Sequence, residues 1–345
     1  MATPPRRLLM LTEGQLNVYD AKMAVAVIRY RREEAVAVLD STRAGQRLED
    51  IIGVGWGVPI VGSVAEGLKY GPTALLIGIA PAGGGLPPAW RAVVREAIEA
   101  GLNVISGLHT FLGDDPEFAA LAQKHGVEVW DVRRVPDDIP VATRRAASVS
   151  ALRVLTVGSD CCVGKMVTAL ELTKGAQRRG WDAEFVATGQ IGIVISGGGL
   201  VVDRVIADFC AGACERLVLE RAARQVLFVE GQGSLVHPSY SGVTLSLLHG
   251  TAPQALVLCH EAGREVVQEH TVRVLSLPRL IELHERMADP VFPSRVVGVS
   301  LMCYTMDEVE AERAVAEAER ETGLPATDPV RFGVEKLLDQ LESFL

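Results

Sequence analysis

The chain has 345 residues, 48% of them apolar and 22% charged, with a formal net charge of −9. That length exceeds one ordinary domain, and the composition is that of soluble enzymes. The acidic balance excludes a general nucleic-acid binder with a basic face, and no stretch reaches the roughly 20 apolar residues that cross a bilayer.

The opening MATPPRRLLMLTEGQ lacks the apolar run of a signal peptide, so a cytoplasmic protein is expected. From there the first half alternates strand and helix signals. AVAVLD (35–40) is a β-branched strand ending in Asp40. PIVGSVAEGLKYG (59–71) gives a short strand and then a helix capped by Ser63, with Glu66 in capping-box position. ALLIGIAPAGG (74–84) reads as a buried strand entering a Gly/Pro turn. PPAWRAVVREAIEAG (87–101) has prolines at its start, apolar residues at helical spacing and Gly101 past its end. LNVISGLHTFLG (102–113) opens with a strand, and VEVWDVR (127–133) is the last. This alternation predicts a Rossmann-like parallel sheet covered by helices over residues 1–147.

The polar stretch VPDDIPVATRRAASVSA (135–151) marks the boundary, and a second α/β domain is expected over 148–345. RVLTVG (153–158) is its first strand, GKMVTALELTKGAQRRG its first helix and AEFVATG (183–189) its next strand. VLFVEG (226–231), ALVLCH (255–260) and VVGVSLM (296–302) follow, then a Glu/Ala-rich helix over 307–320. Asp203 and Asp208, five apart, read as two positions on one helix that do not quite share a face. Asp40 ends a strand as a ribose-binding acid would, but no GxGxxG follows the first strand, which argues against a nicotinamide enzyme.

Between the first strand and helix of the second half stands Gly158-Ser159-Asp160-Cys161-Cys162-Val163-Gly164-Lys165. A Gly-rich strand-to-helix loop turns successive N–H groups inward, the helix adds its positive end, and a lysine supplies a point charge for phosphate oxygens. The spacing is one residue longer than the common GxxxxGK[ST], and G-x5-GK resembles the loop of dethiobiotin synthetases. The next residue is Met166, so the hydroxyl that ordinarily ligates Mg²⁺ is missing; Thr168, one turn on, is a substitute in other geometry. Phosphate binding survives that change, while ATP hydrolysis is weakened. This makes the second domain P-loop NTPase-like.

VLFVEGQGS ends a strand on Glu230 and turns through Gly231, Gln232, Gly233 and Ser234, which resembles the VEGAGG turn of dethiobiotin synthetases. In P-loop folds such an acid approaches the phosphates. Thr188 and Gln190 follow another strand at its carboxyl end, where ligands bind in open α/β sheets. His237 follows the Glu230 loop, His249 comes next and His260 ends a strand. None of the six cysteines lies in a CxxC pair, Cys210 and Cys214 have no completing ligand nearby, and HxxxH is absent, so no metal site is expected.

DAKMAVAVIRY (20–30), IAPAGGGLP (79–87), GLHTFLGDDPE (107–117), GSDCCVGKMVTALEL (158–172), ATGQIGI (187–193), ADFCAGACE (207–215), VEGQGSLVHPSYSGVTLSLLHG (229–250) and GLPATDPVRFG (323–333) together resemble the D-glutamate N-acetyltransferase family. The first half is also similar to the CoA-binding domain of succinyl-CoA synthetase α chains in its strand–helix order. The resemblance implies an N-acetyltransferase that moves an acetyl group from acetyl-CoA to an acidic amino acid of the D-glutamate kind. It further implies a homo-oligomer and a pathway partner, a racemase of the enolase superfamily. On that reading Lys165 and the amides of 160–165 grip the pyrophosphate, with Gly158 through Met166, Thr168, Gln190 and Gly231 through Ser234 around the cosubstrate. Glu230 or His237 is the base, the amides of Gly231–Ser234 polarise the thioester, and Arg29, Arg331 or Arg273 pairs with the substrate carboxylates. The alternative is an ATP/Mg-dependent ligase or kinase of the dethiobiotin-synthetase type acting on a carboxylate.

Overall fold

The computed structural model describes residues 6–79 and 84–345. The turn read at 80–83 within IAPAGGGLP lies outside the described residues. Contacts divide the chain into two compact units, the first running to Arg134 and including Ile193–Gly198, the second comprising the rest.

The first unit runs β1 (Leu8–Leu11), α1 (Lys22–Tyr30), β2 (Ala35–Leu39), α2 (Leu48–Ile52), β3 (Ile60–Val61), α3 (Val64–Leu68), β4 (Ala74–Ile77), α4 (Arg91–Glu99), β5 (Asn103–Ser106), α5 (Pro116–His125) and β6 (Val129–Asp131). All strands are parallel, in the order β3-β2-β1-β4-β5-β6. The order reverses at β1, the pattern of a doubly wound sheet. Each of the four β1 residues is fully buried. LLML has no β-branched or aromatic residue, so the sequence carries little strand signal there. Ser63 caps α3 by accepting from Glu66 N, but the Glu66 carboxylate takes the Gly62 N–H at 2.8 Å, one residue upstream of a reciprocal box. In the same unit the carboxylate of buried Glu34 pairs with Arg6 and Arg31. These arginines in turn donate to the carbonyls of Val194 (2.7 Å) and Ile195 (3.1 Å).

The chain continues through β7 (Leu152–Gly158), α6 (Lys165–Arg178), β8 (Ala183–Val186), α7 (Gln190–Ser196), which passes into the first unit from Ile193, α8 (Ala207–Leu219), β9 (Val226–Val229), α9 (Ser241–Thr251), β10 (Ala255–Glu261), α10 (Leu277–Ala288), β11 (Arg295–Met302), α11 (Glu308–Thr322), β12 (Ala326–Thr327) and α12 (Glu335–Leu341) to form the second unit. Its sheet is also parallel, in the order β12-β11-β10-β7-β9-β8. β7 therefore lies between β10 and β9, with Cys259 level with Gly158 and Val229 level with Leu155. The loops after these three strands open on one edge of the sheet. Among the described residues no helix is long and apolar enough to cross a membrane.

The packing parts the chain at Arg134/Val135, upstream of the 147/148 division read from composition. The polar connector belongs to the second unit because the buried Glu215 carboxylate on α8 accepts the N–H groups of Thr143 (2.8 Å) and Arg145. Its backbone also lies against Gly212, where a Cβ would stand 1.7 Å from Pro140 O. Asp203 and Asp208 do not share a helix: Asp203 is in a 3-10 turn and Asp208 opens α8.

Arg153 is fully buried in β7. Its guanidinium donates to the carbonyls of Ala252, Val149 and Ala151 at 2.8–2.9 Å and lies 5.5 Å over the Phe292 ring; burial lowers its pKa to about 10. Arg153→Ala leaves those carbonyls unpaired around a cavity and is expected to cost about 3–5 kcal/mol, read as a lower urea midpoint with unchanged m.

Candidate functional site

The P-loop is built from its backbone outward. Gly164 adopts φ +89° at the start of α6, a left-handed conformation that a side chain would resist, and Cys162 sits at φ +58°. The amides of Val163, Gly164 and Lys165 donate to no acceptor among the described residues. They stand at the N-terminal end of a 14-residue helix, a setting that attracts anions. Lys165 is buried and its Nζ donates to Asp160 O at 2.7 Å. Two glycines leave room for that side chain: a Cβ at Gly158 would stand 3.0 Å from Lys165 Nζ, and one at Gly231 would stand 3.0 Å from its Cδ and 1.7 Å from Thr156 O.

Not every loop group read as a phosphate ligand is available for that task. Ser159 N–H bonds Cys259 O and its Oγ pairs with His260 Nδ1 at 2.9 Å. The fully buried Asp160 takes Cys161 N–H on Oδ1, and on Oδ2 it accepts Arg264 Nη1 (2.7 Å) and Gln268 N (2.8 Å). Thr168 does not stand in for the missing hydroxyl. Its Oγ1 donates to Gly164 O and pairs with Ser300 Oγ at 2.7 Å, because the side chain faces β11 rather than the loop mouth. Met166 is half-buried.

Glu230 leaves the end of β9 and is buried. Its Oε2 accepts the N–H groups of Thr188 (2.9 Å) and Gly189 (3.0 Å), while Thr188 Oγ1 donates to Glu230 O. Burial raises its pKa to about 7, opposed by those two amides and by Lys165. Gln232 Nε2 reaches Thr188 Oγ1, and half-buried Gln190 begins α7 beside them. The Gly231 amide is engaged by Thr156 Oγ1 at 2.9 Å, so it is not a free donor for a thioester carbonyl. Gly233 adopts φ +65°, and a Cβ there would stand 2.3 Å from Tyr240 O; Ser234 is fully buried and its carbonyl accepts His237 N.

His237 is buried, with its ring 4.6 Å from Tyr240 and 4.9 Å edge-on to His270. Its Nδ1 accepts the backbone N–H of Ser239 at 3.1 Å. An accepting Nδ1 carries no proton, so the neutral ring carries it on Nε2. Burial holds the ring below its usual pKa. In this arrangement His237 presents a donor on Nε2 and keeps its Nδ1 lone pair on the Ser239 amide.

One ring nitrogen of His237, one Asp160 oxygen and Cys161 Sγ lie within 4.8 Å of one another, a grouping the sequence did not show. Both Asp160 oxygens and His237 Nδ1 already accept hydrogen bonds, and burial pushes the Cys161 thiol up to about 11. The same pKa makes Cys161 a poor nucleophile.

Of the three arginines read as carboxylate partners, Arg331 is engaged by the carbonyls of Cys303 and Met306. Arg29 ends α1 in the first unit. Arg273 lines a pocket of about 430 Å³ in the second unit together with Arg264 and His260. Arg264, Gln268 and His270, which brace the P-loop and His237, were missed because no local pattern links them to residue 160.

Residues 140–338 match the DUF1611 domain of unknown function, described as a P-loop domain, and residues 41–135 match its N-terminal counterpart, described as Rossmann-like. Two similar proteins are named D-glutamate N-acetyltransferase. One from Pseudoalteromonas sp is 39% identical over 81% of this chain and 84% of its own. One from Tritonibacter scottomollicae is 38% identical over 93% of this chain and 94% of its own. A crystal structure of a DUF1611 family protein from Anabaena variabilis is 41% identical, with a TM-score of 0.94 over 98% of this chain and 99% of that one. The Rossmann-like and P-loop halves, in that order and at that identity, place the chain in the DUF1611 family.

Proposed function

We propose that the protein is an N-acetyltransferase that acetylates the amine of D-glutamate with acetyl-CoA as donor. The observation that carries the reading is the identity of 38–39% to two proteins of that name over most of the chain. The P-loop supports it by offering an anion cradle without the hydroxyl that Mg-ATP chemistry uses, since Met166 follows Lys165 and Thr168 faces β11. On this reading the amides of Val163–Lys165 and the Lys165 ammonium hold the donor's pyrophosphate.

Transfer requires the amine to lose a proton before its nitrogen attacks the thioester carbonyl and the thiol leaves. Glu230 serves as the base, because a carboxylate with a pKa of about 7 is half deprotonated at physiological pH and still accepts a proton well. The pantetheine arm, on the order of 15 Å when extended, must fold back for the thioester to meet Glu230 beside the P-loop.

Mixing the protein with acetyl-CoA and a panel of D- and L-amino acids is expected to release thiol fastest with D-glutamate. The absence of thiol release with every amino acid, alongside stabilisation by Mg-ATP, would overturn the reading.

A further inference from the structure

We propose that His237 is a member of the anion cradle, donating its Nε2–H to the pyrophosphate held by the P-loop. The proposal rests on the donor reading above.

Three observations lead to it. The loop lacks the usual supplement to its backbone, a hydroxyl after the lysine: Met166 occupies that position and Thr168 is turned to Ser300. His237, only 3% exposed, has its Nδ1 occupied by the Ser239 N–H, so the Nε2 proton is fixed by the backbone. That Nε2 has no acceptor among the described residues and is not sealed from solvent, and a ring nitrogen of His237 lies within 4.8 Å of ligand atoms of Asp160 and Cys161 in the loop, so the donor is open to a ligand held there.

The surroundings admit an anion. Asp160, the nearest acid, has both oxygens engaged, by Cys161 N–H on one and by Arg264 and the Gln268 N–H on the other, and Arg264 also pairs with Glu261. The edge of His270 and the ring of Tyr240 fix the imidazole plane, and Ser239 Oγ lies 3.4 Å from His270 Nε2, tying the two loops together. A neutral donor held in this way supplies a hydrogen bond at no cost in reorganisation.

The test compares His237→Ala with His237→Gln, because a glutamine amide donates a hydrogen bond but cannot act as a base. CoA and inorganic pyrophosphate are titrated calorimetrically, and steady-state rates are measured with acetyl-CoA and with S-acetylpantetheine, which has the thioester but no pyrophosphate. The alanine variant is expected to weaken both CoA and pyrophosphate binding about ten- to thirtyfold. The glutamine variant is expected to stay within about threefold of the parent, with kcat at saturating acetyl-CoA nearly unchanged in both. The KM for S-acetylpantetheine is expected not to move, and EDTA is expected to leave CoA binding intact.

Unchanged CoA and pyrophosphate affinity in His237→Ala overturns the proposal. So does an equal loss of kcat in both variants with affinity intact, which would make His237 the base. Loss of CoA binding on chelation also overturns it, in favour of a metal. A parent protein that binds pyrophosphate but not CoA sinks the donor reading instead, and the pyrophosphate titration then decides the cradle role alone.

Discussion

Glu230→Gln is expected to lower kcat by a factor of roughly 10² to 10⁴ while leaving the KM for the acetyl donor nearly unchanged. The parent's rate should rise with pH along a limb centred near 7, the pKa to which burial raises this carboxyl, and the limb should vanish in the variant. The same substitution should stabilise the protein in alkaline buffer. In the folded chain Glu230 keeps its proton to about pH 7, against an ordinary value of 4.5. Between those values the folded state binds more protons than the unfolded state, so stability falls as pH rises. By pH 8 the deficit is on the order of 3 kcal/mol. Glutamine bears no such charge, and its Oε1 can still accept the Thr188 and Gly189 amides. Melting curves at pH 8 should therefore place the variant above the parent, with the gap closing below about pH 4.5. A variant of equal or lower melting temperature at pH 8 would show that Glu230 is not strained by its charge.

Lys165→Ala is expected to raise the donor KM on the order of 100-fold, corresponding to about 3 kcal/mol, with a smaller effect on kcat. The side chain is buried, lies along Gly158 and Gly231, and holds its ammonium at the loop mouth through Asp160 O. Arginine should not rescue it, since the two glycines leave no width for a planar guanidinium. Calorimetric titration with CoA measures the loss directly. Undiminished CoA binding in Lys165→Ala would remove the P-loop from the donor site.

The P-loop was legible in the sequence because its parts are local: a strand, a glycine-spaced loop and a lysine opening a helix, all within residues 152–178. Glu230 was legible because it ends an apolar strand before two glycines. What orders these groups was not. Asp160 is held by Arg264 and Gln268, more than a hundred positions away, and Thr168 is claimed by Ser300 on β11. The identity of His237 was plain, but its tautomer depends on one backbone amide. β1 is LLML, four residues with no β-branched or aromatic side chain to mark a strand, and the two-residue β12 is too short to leave a pattern. The connector is exposed along most of 136–145, as its polarity suggests, yet its backbone is tied to the second unit through Glu215, a link no local pattern announces.

The membership of Ile193–Gly198 in the first compact unit constrains how this gene can be cut and recombined. A fragment stopping at Arg134 would omit the carbonyls to which Arg6 and Arg31 donate, leaving those guanidiniums and their shared partner Glu34 at a raw surface. Exchanging the N-terminal half between homologues would set one parent's arginines against the other parent's α7. The two halves are therefore heritable as a pair, and viable chimaeras should carry α7 from the same parent as residues 6–34.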